Sequence, residues 1–267
     1  MLTLDLAGSE VVLRILLTND DGIDAQGLKV LEHIAGTLTD DIWVVAPEHD
    51  QSAVSHSLTL RTPFRINEIS SKKYAVSGTP TDCVLTAIRL LMADNLPDLV
   101  LSGVNNGENL AEDVTYSGTI AAALEATILG IPAVALSLTT GNLQPVKWAT
   151  AEHWGPIVLK KILARPIPSN VLMNVNFPNA VHKSVEGIKI TCQGQRKIFD
   201  RIHQREDPRG IPYYWIGAGP DRYNRPLEFA EAGTDIEAVG HKYISLTPLS
   251  LDMTHHKTVK LLKEQFA

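Results

Sequence analysis

The sequence predicts an α/β fold: a doubly wound, mostly parallel sheet covered by helices on both faces, with a C-terminal hairpin arm and helix. Three observations predict it. Short branched apolar runs alternate with stretches of helical periodicity through the first half. The apolar runs are continuous rather than alternating, as in strands buried on both faces. Each run ends in a polar loop rich in Asn, Asp, Ser and Gly, so the βαβ units stack their loops along one edge.

The elements follow in order. Residues 11–18 form an apolar run broken by Arg14 and closed by a turn, a buried strand. Leu28, Leu31, Ile34, Ala35 and Leu38 recur at helical spacing. Residues 42–46 ("IWVVA") form a second strand, stopped by Pro47. Residues 81–93 read as a helix with Val84, Ile88 and Leu91 on one face, opened by Thr79, Pro80 and Asp82 in a capping-box arrangement. A short strand at 99–101 follows Pro97. Residues 119–129 form a helix ended by Gly130, and 131–136 a strand.

The second half is less regular. Residues 148–163 read as a helix and 171–177 ("VLMNVNF") as a strand. The stretch "REDPRGIPYYWIG" places a turn before an aromatic run and reads as a projecting hairpin. Tyr213, Tyr214 and Trp215 put aromatics on both faces of its second strand, so a partner subunit or the chain's own core must cover them. Residues 255–266 form a last helix. The expected organisation is one domain, with a core over about 11–190 and an arm and helix over about 191–267.

Composition narrows the function. Net charge is −6 and no run of clustered Lys and Arg occurs, which argues against nucleic-acid binding. Cys83 and Cys192 are far apart and show no metal-ligand spacing; both are expected as small core residues in a reducing compartment. No apolar run reaches a membrane span. Residues 1–10 lack the features of a signal peptide and read as a short extension, so a cytoplasmic location is expected. Neither a Walker-type phosphate loop nor a dinucleotide fingerprint is present.

Ligands of open parallel sheets bind beyond the carboxyl ends of the strands. Three polar loops fall there: "NDDG" at 19–22, "EHDQSAVSHS" at 48–57 and "SGVNNGENLAEDVTYS" at 102–117. Asp20 and Asp21 are adjacent and repel unless a cation or a proton lies between them. Ser52 and Asn105 supply neutral oxygens from the other two loops. An all-oxygen set suits a hard divalent ion such as Mg²⁺ or Mn²⁺ better than zinc, which the nine histidines keep open. His49 and His56 are expected beside the site rather than on the ion. Ser117, Gly118 and Thr119 open a helix, whose free N–H groups can take a phosphate. A simple turn at 19–22 and a simple helix cap at 117–119 are the structural alternatives.

Five segments in order, "ILLTNDDGIDAQGL", "VVAPEHDQSAVSHSLTL", "GTPTDCV", "PDLVLSGVNNGENLAEDVTYSGTIAAALEA" and "GIPAVALS", resemble the SurE family of metal-dependent nucleotidases. The likeness is dense to about residue 137 and thinner beyond, with "DPRG", "YWIG" and "YISLTPL" as landmarks. It implies a Rossmann-like core, one divalent metal per subunit on Asp20, Asp21, Ser52 and Asn105, and dimers or tetramers built with the C-terminal part. It also implies nucleoside monophosphates as substrates, with 3′-nucleotides and short polyphosphate as further possibilities. Asp50 and Gln51 stand where Asn-Arg is common in the family, Asn106 where a small residue is usual, and Glu108 where Pro is common. A missing Arg and an added carboxylate weaken attraction for an anion.

Phosphomonoester hydrolysis, a 5′-nucleotidase activity, is the leading expectation. Asp20 and Asp21 would be at the chemistry, with either a metal-activated water or the Asp20 carboxylate as the attacking group, and Asn109, Ser117, Gly118 and Thr119 would hold the phosphate. A metal-dependent glycosyltransferase and a non-catalytic nucleotide-binding protein are the alternatives.

Overall fold

The computed structural model describes residues 12–140, 145–196, 199–218 and 230–267. The expectations for residues 1–11 and for the stretch of the C-terminal part over 219–229 lie outside them. The first strand, β1 (Ile15–Thr18), leads through α1 (Gln26–Gly36) to β2 (Ile42–Pro47). The chain continues with β3 (Ile66–Ser70), β4 (Lys73–Val76), α2 (Pro80–Thr86), β5 (Leu99–Asn106), α3 (Gly118–Ile128) and β6 (Ala133–Leu138). The second half holds α4 (Trp148–Ile162), β7 (Val171–Phe177), β8 (Gly187–Ile190), β9 (Phe199–Glu206), β10 (Pro212–Ala218), α5 (Asp235–Gly240), β11 (Tyr243–Ser250) and α6 (His256–Gln265).

Nine strands form one sheet in the order β3-β4-β2-β1-β5-β6-β7-β11-β8. The run from β4 to β7 is parallel throughout, and β3 and β11 pair antiparallel to their neighbours at β4 and β7. Strand alternation divides the core in two. Ile15 and Leu17 face the side covered by α1 and α4, whereas Leu16 faces the side covered by α2 and α3. Every residue of β1 is buried, which explains the continuous apolar run.

The connection after β1 crosses one face to β2, and the connection before β5 crosses the other. β1 lies between β2 and β5, so the strand order reverses there. That reversal opens a crevice at the carboxyl ends of β1 and β5.

Several elements differ from expectation. β5 runs to Asn106 instead of ending at 101, with a register irregularity against β6 between Ser102 and Asn105. An added Cβ on Gly103 would sit 2.2 Å from the Leu136 carbonyl, so glycine is required at this bulge. β3 and β4 carry too little apolar alternation to be read from sequence; β3 is mostly exposed at the sheet edge. β8 and α5 were not expected either; α5 is capped by the Thr234 side chain. Cys83 is buried as expected, but Cys192 is exposed.

β9 and β10 pair only with each other among the described residues. Asp207 fixes their turn by accepting N–H bonds from Arg209 and Ile211 at 2.8 and 2.9 Å. Tyr213, Tyr214, Trp215 and Ile216 are all exposed on this hairpin, so none of the described residues of the core covers them. The last helix, α6, has no buried residue.

Candidate active site

The three polar loops converge in one cleft, lined by Asp20, Asp21, Ser52, Asn105, Asn109 and Ser117, with Glu108 and Asp113 on the same wall. Backbone bonds fasten the loops together. The Gln51 N–H donates to the Asp20 carbonyl at 2.8 Å, joining the loops after β2 and β1. The Asn106 N–H donates to Asp21 Oδ2 at 3.1 Å, joining the loop after β1 to the end of β5. The Asn19 amide donates to the Gly22 carbonyl at 2.8 Å, and Gly22 takes φ +102°. That left-handed residue lets the turn present two adjacent carboxylates.

Asp20 is 4% exposed. Its Oδ1 accepts the Thr119 hydroxyl at 2.5 Å. Burial pushes the Asp20 carboxyl up to about 7; the Thr119 bond opposes the rise and the Asp21 charge adds to it. Asp21 is likewise raised, by burial first, with the Asn106 N–H opposing and Asp50 adding. An opposite charge beside such a pair would favour its ionised form.

The start of α3 reaches Asp20 because residue 118 is glycine. A Cβ there would lie 2.7 Å from Asp20 Cβ and 2.9 Å from its Oδ2. Thr119 turns both its hydroxyl and its N–H to this carboxylate. Thr119, expected at the phosphate, is thus engaged by Asp20 and does not line the cleft, and the positive end of α3 faces that carboxylate. Ser117 caps α3 by accepting the Ile120 N–H at 3.1 Å, which leaves its hydroxyl proton available to the cleft.

The other two donors are held so that oxygen faces outward. The Ser52 hydroxyl donates to Asp50 Oδ1 at 2.6 Å, leaving lone pairs for a ligand. The Asn105 amide nitrogen donates to the Gly107 carbonyl at 3.0 Å, which occupies the end that cannot bind a cation. Among the described residues no three His, Cys, Asp or Glu side chains gather as a metal site. An ion here would rest on two carboxylates and neutral oxygens, a donor set that fits a hard divalent cation. His49 is exposed, and His56 Nε2 lies 2.9 Å from Glu125 Oε2 on α3, so neither joins the donor set.

Asn109 is held from behind by a buried amide network. Its N–H donates to Asn176 Oδ1 at 2.8 Å, and its carbonyl accepts from Asn174 and Asn176 at 2.9 and 3.1 Å. Its own amide donates to the Ser137 hydroxyl at 2.8 Å, leaving one N–H of that amide for the cleft. Ala111, on the same loop, takes φ +50°. Asp235 accepts its N–H at 2.9 Å and Gln193 donates to its carbonyl at 2.9 Å, which holds the unfavourable conformation.

Sequence reasoning missed these supports. Asn174 and Asn176 lie within an expected strand, where two buried amides facing the same way were the available signal. Arg196 was also missed. Its guanidinium pairs with Asp113 and lies 3.5 Å from Glu108, so the carboxylate at 108 is not left unopposed. Nothing local marks this Arg, because Asp113 lies 83 residues away.

Comparison with known proteins agrees with this architecture. The family described as Survival protein SurE matches residues 15–200. The 5′-nucleotidase SurE of Paramagnetospirillum magneticum is 56% identical over 254 residues, covering 95% of this chain and 96% of that protein. Its counterpart in Parvibaculum lavamentivorans is 53% identical over 255 residues, covering 94% and 90%. The crystal structure of the SurE protein from Aquifex aeolicus superposes with a TM-score of 0.81 at 40% identity, covering 95% of this chain and all of that one. With five ordered motifs, a shared fold and full-length relatives above half identity, this chain belongs to the SurE family.

Proposed function

We propose that this protein is a divalent-metal-dependent phosphatase that hydrolyses nucleoside monophosphates to nucleoside and phosphate. The carrying observation is the buried Asp20–Asp21 pair at the strand-order reversal, raised in pKa and backed by neutral oxygens from two other loops. The 5′-nucleotidase names of the relatives supply the substrate class. They weigh against the glycosyltransferase and non-catalytic readings.

One Mg²⁺ or Mn²⁺ ion per subunit, held by Asp20, Asp21, Ser52 and Asn105, would supply charge neutralisation at the phosphate and lower the pKa of a bound water. Thr119 and Asn106 orient the two carboxylates through the bonds described above. Ser117, the Gly118 N–H at the start of α3 and the remaining Asn109 amide N–H are the donors for phosphate oxygens. A carboxylate buried and pinned at Oδ1 is poorly placed to attack, so water is the nucleophile. Its oxygen joins phosphorus, the bond from phosphorus to the nucleoside oxygen breaks, and a proton from the water ends on that departing oxygen. Inversion of configuration at a chiral phosphorus supports direct attack by water; net retention, or trapping a phosphorylated Asp20, refutes it.

Turnover of p-nitrophenyl phosphate and a panel of 5′- and 3′-nucleotides should need Mg²⁺ or Mn²⁺, vanish with chelator and fall at least about a thousandfold in Asp20→Asn. Activity surviving both treatments would sink this site.

The chain acts as one unit, a core of about residues 11–190 with an arm and helix over about 191–267. The exposed aromatics of β10 and the unburied α6 support a homodimer or homotetramer in which partner subunits cover them. Replacing Tyr214 and Trp215 by Ser should lower the assembly mass in light scattering; an unchanged mass refutes that role. Among the described residues no helix is long and apolar enough to cross a membrane. We place the enzyme in the cytoplasm, with no nucleic-acid partner.

A further inference from the structure

The wall of the cleft formed by residues 108–113 is acidic. Glu108 and Asp113 line the cleft itself, and Glu112 lies just behind. A dianionic phosphate would meet these charges on the way to Asp20 and Asp21. The guanidinium opposing them, that of Arg196, comes from the segment that follows β8. Arg196 pairs with Asp113, lies 3.5 Å from Glu108, and its backbone N–H donates to Glu112 Oε2 at 2.5 Å. The Arg196 side chain is 15% exposed, and those of Glu108 and Asp113 are 14% and 15% exposed. Water therefore screens this cluster poorly.

The geometry points to Arg196 as the counter-charge of the cleft, a positioning residue that sets affinity for the anionic substrate without touching it. This rests on the phosphatase reading above. Arg196 does not line the cleft; it acts through Glu108 and Asp113. Burial raises the proton affinity of Asp113, and the Arg196 charge opposes that rise. Asp235, itself bonded to the N–H groups of Ala111 and Gly194, also feels the Arg196 charge. The same segment thus holds the wall in shape and balances its charge. Glu108 is the member whose charge the fold does not need. Asp113 caps the turn at Leu110, whereas Arg196 is the partner seen for the Glu108 carboxylate among the described residues.

The removal of one partner from a buried charge cluster leaves the others uncompensated. Arg196→Gln should therefore raise KM for a nucleoside monophosphate about tenfold, with kcat within about threefold, because the loss falls on binding and not on the reacting atoms. Adding Glu108→Gln to Arg196→Gln should recover most of that loss. A purely structural role for Arg196 would not produce the rescue.

The experiment compares the parent, Arg196→Gln, Glu108→Gln and the double variant as full-length, metal-loaded proteins. Turnover of adenosine monophosphate is read alongside its binding by calorimetry. Absence of turnover in the parent would defeat the phosphatase reading alone, and binding would still decide the role of Arg196. An unchanged KM and Kd in Arg196→Gln, or a loss that Glu108→Gln does not relieve, would overturn the proposal. If Arg196→Gln does not fold, Arg196→Lys and Glu108→Gln carry the test. Arg196→Lys keeps the charge and should stay within about threefold of the parent KM, while Glu108→Gln should lower KM about threefold. A tenfold rise in Arg196→Lys or an unchanged Glu108→Gln would equally overturn it.

Discussion

The two edges of the parallel sheet treat carboxylates in opposite ways. At the edge where the strands begin, Asp41 sits between Arg14 at 2.8 Å and Lys72 at 2.8 Å, a cation on either side. Burial pushes the Asp41 carboxyl up, but the bonds and charges of Lys72 and Arg14 outweigh it and hold the group below the usual range. At the edge where the strands end, Asp20 and Asp21 lie together with Asp50 nearby, and both carboxyls are pushed up. Burial acts in the same direction at both places. The presence or absence of a protein cation decides the outcome. Asp41 has its partners within the fold, whereas Asp20 and Asp21, in the proposed reading, take theirs from a bound ion.

This comparison is sharpest under pH. Asp20 has a folded pKa of about 7 against about 3.9 for an unfolded Asp. Between those values the folded chain holds the extra proton, so the stability of metal-free protein falls as pH rises from about 4 to about 7. The span corresponds to about 4 kcal/mol by linkage. Asp41 has the opposite sign, since its folded pKa lies below the unfolded one. Its contribution is present above the unfolded pKa and is lost as pH falls through the folded value. Thermal unfolding of chelator-treated protein across pH 4 to 8 should show the Asp20 decline, and Asp20→Asn should remove it. Saturating Mn²⁺ should also remove it, because metal binding requires the ionised carboxylate and releases its proton. A metal-free Asp20→Asn protein with the same pH slope as the parent would break the comparison.

Glycines distinguish the edges next. Gly118 lets α3 approach Asp20, and a methyl group there meets Asp20 and Pro80 within 3.1 Å. Gly118→Ala should cost about 1 to 3 kcal/mol through overpacking. It should also weaken Mn²⁺ binding, measured by calorimetry, because it displaces a ligand. Gly36 ends α1 and has nothing within 4 Å of an added Cβ. Gly36→Ala should change stability by less than about 1 kcal/mol, in the stabilising direction, and leave Mn²⁺ binding alone. Equal effects at the two positions would show that the close approach of α3 to Asp20 has no energetic weight.

How much of this was legible in the sequence follows from how local each cause is. The parallel core could be read because every residue of β1 is apolar or a closing Thr, and its neighbours repeat the pattern. Loop placement grouped Asp20, Asp21, Ser52 and Asn105 before any coordinates, since strand ends in a parallel sheet share an edge. The role of Thr119 could not be read: a hydroxyl at a helix start looks the same whether it serves a phosphate or a carboxylate from another loop. β3 was hidden by its mostly exposed, polar sequence. Arg196 and the Asn174–Asn176 clamp were hidden because their partners come from distant elements. Glu108 shows the cost of this, since read alone it looked like an unopposed charge.

The smallest effect comes from the paired edge and checks whether its pairing matters. Asp41→Asn keeps the side-chain shape and removes the charge between Arg14 and Lys72. Arg14 would still be anchored by its N–H to Asp98 Oδ2 at 2.7 Å and by its guanidinium to the Asn95 carbonyl at 3.0 Å. Lys72 is 43% exposed and can turn to water. The loss should therefore be about 0.5 to 1 kcal/mol at pH 7, the range of partly exposed pairs, and should shrink in high salt. Metal-dependent turnover should be unchanged, because the substitution lies at the opposite end of β1 and β2 from the cleft. Chemical denaturation at low and high salt measures the first expectation and a nucleotidase assay the second. A fall in turnover with stability intact would mean that charge at one edge of the sheet is felt at the other, and the separation between stabilising and ligand-holding carboxylates would no longer stand.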